Sequence, residues 1–178
     1  MIRKKICMVG AFGVGKTSLV CRFVHGIYSD RYHTTVGVKI DKKVVQHPAG
    51  DINLVLWDMA GKDALTTVRP AHLKGASGYI LVMDGTRRNT LEAAIDLHGF
   101  VSEVAGAVPF ACVVNKADLR ETWEIQQSDL DDLVSRGWTV VETSAKTGAA
   151  VEAVFQTLTD AMMQEHHVDD STTGAVAG

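Results

Sequence analysis

Ile6-Cys7-Met8-Val9-Gly10-Ala11-Phe12-Gly13-Val14-Gly15-Lys16-Thr17 is an apolar run that ends in a glycine-rich turn, and Ser18-Leu19-Val20-Cys21-Arg22-Phe23-Val24 after it has the pattern of a helix. Strand, loop and helix in this order, with four residues between Gly10 and Gly15-Lys16-Thr17, form a phosphate-binding loop. The glycines let successive backbone N–H groups converge on phosphate oxygens. The helix then points the positive end of its dipole at them. Lys16 is expected to reach the β- and γ-phosphates, and the Thr17 hydroxyl to ligate Mg2+. The motif alone does not say which base is bound or whether the phosphate is cut.

The chain has 178 residues, of which 46% are hydrophobic, enough for one well-filled domain and short for two. Its net charge of -3, with no basic run longer than Arg3-Lys4-Lys5, gives no electrostatic footprint for nucleic acid. Cys7, Cys21 and Cys112 are few and set among apolar residues, which suits reduced thiols in the cytoplasm better than a disulfide framework. No apolar run has transmembrane length. Position 2 is Ile rather than the Gly that myristoylation needs, and the last cysteine is Cys112, so no intrinsic lipid anchor is expected.

Beyond the first helix, 29–35 has no period and reads as a loop. Strand-like runs over 36–46 and 52–57 flank the turn residues His47-Pro48-Ala49-Gly50-Asp51, which predicts an antiparallel hairpin. The short apolar runs at 79–83, 110–114 and 138–141 are of the type buried in a mostly parallel sheet. Helical patterns alternate with them. One opens at a capping-box sequence, Asn89-Thr90-Leu91-Glu92, another at 128–131, and a third carries Val151, Val154, Phe155, Leu158 and Met162 on one face. This alternation predicts a three-layer α/β domain over residues 1–166. The residues 167–178 are small and polar enough to form a disordered tail.

Two further motifs sit at the ends of the predicted fifth and sixth strands: Asn115-Lys116-Ala117-Asp118 and Ser144-Ala145-Lys146. Strand carboxyl ends are where open α/β sheets bind ligands. An aspartate there accepts two parallel hydrogen bonds from the N1–H and 2-amino group of guanine, and adenine offers neither. Asp118 is therefore the expected determinant of base specificity.

With these motifs in hand, residues 3 to 165 resemble the Ras-like small GTPases, nearest in flavour to the Rab branch. The resemblance rests on five motifs in order: Gly10 to Thr17, Thr35-Val36-Gly37, Asp58-Met59-Ala60-Gly61, Asn115-Lys116-Ala117-Asp118 and Ser144-Ala145-Lys146. It implies a P-loop GTPase fold, a six-stranded mostly parallel sheet of order 2-3-1-4-5-6 flanked by about five helices. The nucleotide, GTP or GDP, would touch Gly10, Gly13, Val14, Gly15, Lys16, Thr17 and Ser18. Thr17 and Thr35 would ligate Mg2+, with Asp58 acting through water, and the Gly61 N–H would meet the γ-phosphate. Tyr28 would pack on the base, Asn115, Lys116 and Asp118 would frame it, and Ser144, Ala145 and Lys146 would close it, with the Ala145 N–H on guanine O6. Loops 28–37 and 61–74 would then order only around a γ-phosphate, and effectors, activating proteins and exchange factors would read them.

The chain departs from that family at two positions. Lys62 stands where many members have glutamine, and an ammonium has donors only, so it cannot orient an attacking water as an amide does. Phe12 adds bulk beside the γ-phosphate. Slow intrinsic hydrolysis is expected. Lys62 itself, or Arg31 before Thr34-Thr35, would supply positive charge as a substitute, and His33 and His72 are further candidates for positioning water. Two functional classes follow: a regulatory GTPase, or a GTP-dependent binding module that has lost hydrolysis. A nucleotide kinase would need an arginine-rich second site, and Asn115-Lys116-Ala117-Asp118 argues against it.

Overall fold

The computed structural model describes residues 1–31, 34–60 and 68–172. Its six strands are β1 (Ile2–Gly10), β2 (Val38–Val45), β3 (Ile52–Met59), β4 (Gly78–Asp84), β5 (Phe110–Asn115) and β6 (Val140–Glu142). They form one sheet of order β2-β3-β1-β4-β5-β6, as expected. All neighbours are parallel except β2 and β3, which pair antiparallel across the predicted 47–51 turn. The described helices are α1 (Lys16–His25), α2 (Pro70–Leu73), α3 (Asn89–Ala105), α4 (Gln127–Ser135) and α5 (Val151–Thr172), with a 3-10 turn over Ala117–Thr122.

The central strands are covered on both faces, and their side chains alternate between two apolar clusters with the two-residue period of a pleated strand. Ile6, Met8, Leu54, Leu56, Ile80, Val82, Ala111 and Val113 point toward α1 and α5. Cys7, Val9, Met59, Tyr79, Leu81, Met83, Cys112 and Val114 point toward α3 and α4. The predicted stripe on α5 is buried in full, with Phe155 stacked on Phe23 of α1 at a ring-centroid distance of 3.9 Å.

Three local expectations are corrected. No capping box forms at Asn89. Instead the Thr90 hydroxyl accepts the Asp84 N–H at 3.0 Å and lies 2.7 Å from the Arg87 carbonyl, tying the helix start to the end of β4. The next helix, α4, starts at Gln127, one residue earlier than read, because the Asp129 carboxylate accepts the Gln126 N–H at 2.8 Å. Trp138 precedes β6, since its N–H bonds back to Leu133 at the end of α4 and its ring packs edge-on against Phe110. The last helix runs over Val151–Thr172, and no Gly or Pro interrupts the chain between those residues.

One glycine is required for space. A Cβ on Gly85 would lie 2.1 Å from the Trp123 indole, whose Nε1–H donates to the Lys116 carbonyl at 2.9 Å. Gly85→Ala therefore has to displace Trp123, and overpacking of this kind costs roughly 1–3 kcal/mol. In a chain of this size that is expected to lower the melting temperature by about 3–10 °C. Calorimetry of the purified variant checks it; an unchanged melting temperature contradicts this packing.

Candidate nucleotide and metal site

The phosphate loop leaves β1 at Gly10 and enters α1 at Gly15, the N-cap residue, which has φ 103°. Only glycine suits this position, because a Cβ would also lie 2.2 Å from Asn115 Nδ2. No acidic side chain occupies the first turn of α1, so its dipole is left for an anion. Lys16 is buried and folds back over the loop, its Nζ donating to the Gly10 and Ala11 carbonyls, each at 2.8 Å. Burial pulls its pKa down to about 8; Asp58 opposes that shift and Arg87 adds to it. The ammonium is thus short of a counter-charge, which a phosphate would provide.

A cavity of about 410 Å³ opens above the loop. Its wall includes Phe12, Gly13, Gly15, Lys16, Thr17, Ser18, Tyr28, Arg31, Thr35, Asn115, Lys116, Asp118, Ala145 and Lys146. Gly10 and Val14 lie just behind, and the Val14 carbonyl accepts Asn115 Nδ2 at 3.0 Å.

At one end the three candidate metal ligands meet, although 18 and 23 residues separate them in sequence. The Thr17 hydroxyl donates to Asp58 Oδ2 at 2.6 Å and lies 2.7 Å from the Thr35 hydroxyl. Asp58 is fully buried at the end of β3, and its Oδ1 has no hydrogen-bond partner among the described residues. Burial raises its pKa, against hydrogen bonding from Thr17 and the charge of Lys16. An orphaned buried carboxylate oxygen beside two hydroxyls is an all-oxygen donor set, which fits Mg2+ carried with its own water.

At the other end Asp118 lines the cavity, with Oδ1 accepting the Ser144 hydroxyl at 2.7 Å. Ser144 also accepts the Thr147 N–H at 3.1 Å, and through its bond to Asp118 it latches the 115–118 and 144–147 segments together. Asn115 is buried and works both ways: Nδ2 donates to the phosphate loop, while Oδ1 accepts from the Thr143 hydroxyl and the Ala145 N–H, each at 3.2 Å. That N–H is the one the resemblance directs to guanine O6. Lys116 has φ 70° and sends its Nζ to Asp84 Oδ2 at 2.6 Å.

Tyr28 and Arg31 lie on the cavity wall, and Arg31 is exposed there. His72 is elsewhere, with its ring 6.1 Å from that of Trp57. Gly61, Lys62 and His33 lie outside the described residues. Sequence reading missed Arg22, whose guanidinium donates from α1 to the Ala145 carbonyl at 2.8 Å and to that of Lys146, holding the Ser144–Lys146 loop. It also missed Asp84 and Arg87. For Asp84 a signal existed, a lone acid ending the apolar run Tyr79-Ile80-Leu81-Val82-Met83.

A doubly covered α/β sheet with a phosphate-loop sequence between β1 and α1, and with Thr17, Thr35, Asp58 and Asp118 gathered at its strand carboxyl ends, has the arrangement of the P-loop GTP-binding proteins. The Ras family model matches residues 5–164. Similar proteins include Ras-related protein Rab-32A of Dictyostelium discoideum, 33% identical over an alignment of 172 positions that covers 90% of this chain and 78% of that protein. Ras-related protein Rab-13 of Bos taurus is 32% identical, covering 86% and 77%, and Ras-related protein Rab-32 of Homo sapiens is 31% identical, covering 91% and 76%. The chain belongs to the Ras family and is a GTP-binding small GTPase of Rab-like type. No helix among the described residues is long and apolar enough to cross a membrane.

Proposed function

We propose that this chain is a molecular switch that binds GTP and GDP with Mg2+ through the residues assembled above, hydrolyses GTP slowly, and needs a partner for acceleration. The observation that carries this reading is the meeting of Thr17, Thr35 and Asp58 around an unpartnered carboxylate oxygen. The hydroxyl of Thr35, on the loop ahead of β2, is within hydrogen-bond distance of the phosphate loop's Thr17. A γ-phosphate and Mg2+ bound there would add contacts that hold this loop, and loss of the γ-phosphate would remove them. Activating, exchange and effector proteins would read loops 28–37 and 61–74, and the compact domain would span residues 1–166. The three cysteines are free thiols, which suits the cytoplasm.

Hydrolysis is attack of water on the γ-phosphorus, breaking its bond to the bridging oxygen and releasing GDP and phosphate. Lys16 and the amides ahead of α1 hold the phosphates in line, and bound Mg2+ supplies charge neutralisation. Water orientation is the weak part. Lys62 has no acceptor for the water's proton, and Phe12, 41% exposed on the cavity wall, occupies space beside the phosphate loop. The same two residues support the second reading, a GTP-dependent binding module with negligible hydrolysis.

Nucleotide analysis of the purified protein followed by single-turnover hydrolysis separates the readings. Lys62→Gln is expected to speed turnover roughly tenfold or more, in line with the contribution of positioned proton acceptors. If the variant is no faster, the missing glutamine is not what limits the rate. GTP that persists in both proteins supports the binding module.

A further inference from the structure

Lys116, in the base-reading motif, does not end in solvent. Its Nζ is 2.6 Å from Oδ2 of Asp84, a carboxylate with no exposed surface at the end of β4. The same oxygen accepts Arg87 Nε at 3.0 Å, while Oδ1 accepts the Thr86 N–H at 2.9 Å and the Thr86 hydroxyl at 2.7 Å. Burial alone would raise the pKa of Asp84, but the bonds from Lys116, Thr86 and Arg87 outweigh it and hold the group below its usual range. The far arm of the Arg87 guanidinium crosses to the phosphate loop and donates to the Phe12 carbonyl at 2.7 Å. One planar cation thus joins a buried carboxylate to a loop carbonyl, a two-ended geometry that a guanidinium can hold and an ammonium cannot.

We infer that Arg87 is a positioning residue that couples recognition of the base to the placement of the phosphate loop, through the chain Lys116, Asp84, Arg87 and the Phe12 carbonyl. The inference rests on the guanine-nucleotide reading. Asn115 already ties the base side to the loop at the Val14 carbonyl. Arg87 adds a second tie two residues earlier, so the loop is held on both sides of Gly13. Without Arg87, Asp84 still holds Lys116 and Asn115 still reaches Val14, but the tie at Phe12 is lost and the base and phosphate ends of the site are coupled more weakly. Base contacts then help less to fix the phosphates.

The test is the dissociation rate of fluorescent GDP and fluorescent IDP, whose hypoxanthine lacks the 2-amino group facing Asp118, from the full chain in Mg2+. In wild type, IDP is expected to leave roughly ten to a hundred times faster than GDP, the effect of one lost hydrogen bond to a charged group. Arg87→Ala is expected to speed GDP release roughly tenfold and to shrink the IDP-to-GDP rate ratio about threefold or more, the size of coupling between groups in one network. A residue that merely props the fold would speed both nucleotides equally and leave the ratio alone. Arg87→Lys keeps the charge but cannot span both partners, so it is expected to show the same contracted ratio. That variant carries the test if Arg87→Ala does not fold. A wild-type ratio in either folded variant overturns the coupling even where GDP release is faster. Failure of wild type to bind either nucleotide overturns the guanine-nucleotide reading instead, and the coupling with it.

Discussion

Asp118→Asn is expected to lower affinity for GTP and GDP by about four orders of magnitude while creating affinity for xanthine nucleotides. A site built to hydrogen-bond a substrate group rejects an analogue lacking that group by roughly this factor, because its buried polar atoms are left unpaired. The carboxylate offers only acceptors, which match the N1–H and 2-amino group of guanine. An amide replaces one acceptor with a donor that faces the guanine 2-amino group. It matches the 2-oxo group of xanthine. Ser144 makes the exchange clean, because its hydroxyl donates to Oδ1 at 2.7 Å and would fix the amide oxygen on that side, turning the NH2 toward the base. The Ser144 latch to Thr147 survives the substitution, so the loop is expected to keep its shape. Competition binding of GDP and XDP to both proteins checks this. A loss of GDP affinity below tenfold, or no gain for XDP, would remove Asp118 from the base site.

The phosphate loop and the two base motifs were legible because each is a local pattern: residue types at fixed spacing, placed where a strand meets a helix or loop. The sheet order followed from the family that those motifs resemble, and the alternation of buried strands agrees with it residue by residue. Contacts between distant segments were not legible. Asp84 ends β4 and Arg87 follows it in a run, Thr86-Arg87-Arg88-Asn89, that reads as a solvated turn, and their partners lie 32 residues downstream at Lys116 and 75 residues upstream at Phe12. Nothing in a linear pattern says that a strand-terminal carboxylate is fully buried between two cations. The capping box expected at Asn89 failed for the same reason, since Thr90 is engaged by the Asp84 backbone rather than by its own helix. Trp138 looks like the start of a strand by composition, yet the Leu133 carbonyl takes its N–H before the ladder begins. In each case a tertiary partner overrode a local preference.

Lys16→Met is expected to abolish tight nucleotide binding while removing a pH-dependent cost of the free fold. Truncating one partner of a buried charge pair costs about 2–5 kcal/mol or more, so affinity for GDP should fall by roughly two to four orders of magnitude. The free protein holds this ammonium almost out of water, at 6% exposure, against two neutral carbonyls. Its pKa is lowered from 10.5 to about 8, which corresponds to about 3 kcal/mol against the charged form. The sign follows from proton counting. Between pH 8 and 10.5 the unfolded chain keeps the proton that the folded chain has shed, so the lysine's contribution to stability rises with pH across that window. Cys7 and Cys112, pushed up to about 11 and about 12 by burial, act in the opposite direction above pH 9. They are common to both proteins and drop out of the difference. Stripped of nucleotide and metal, wild type should therefore gain about 1 kcal/mol relative to Lys16→Met between pH 8 and 9, measured by urea unfolding. A difference that stays flat would mean that the lysine is not held uncompensated in the free loop. A phosphate neutralises the group and lifts its pKa again, so the same unfolding series at saturating GDP should lose the slope. The cost to the empty loop and the affinity for the filled one are then two measurements of one buried charge.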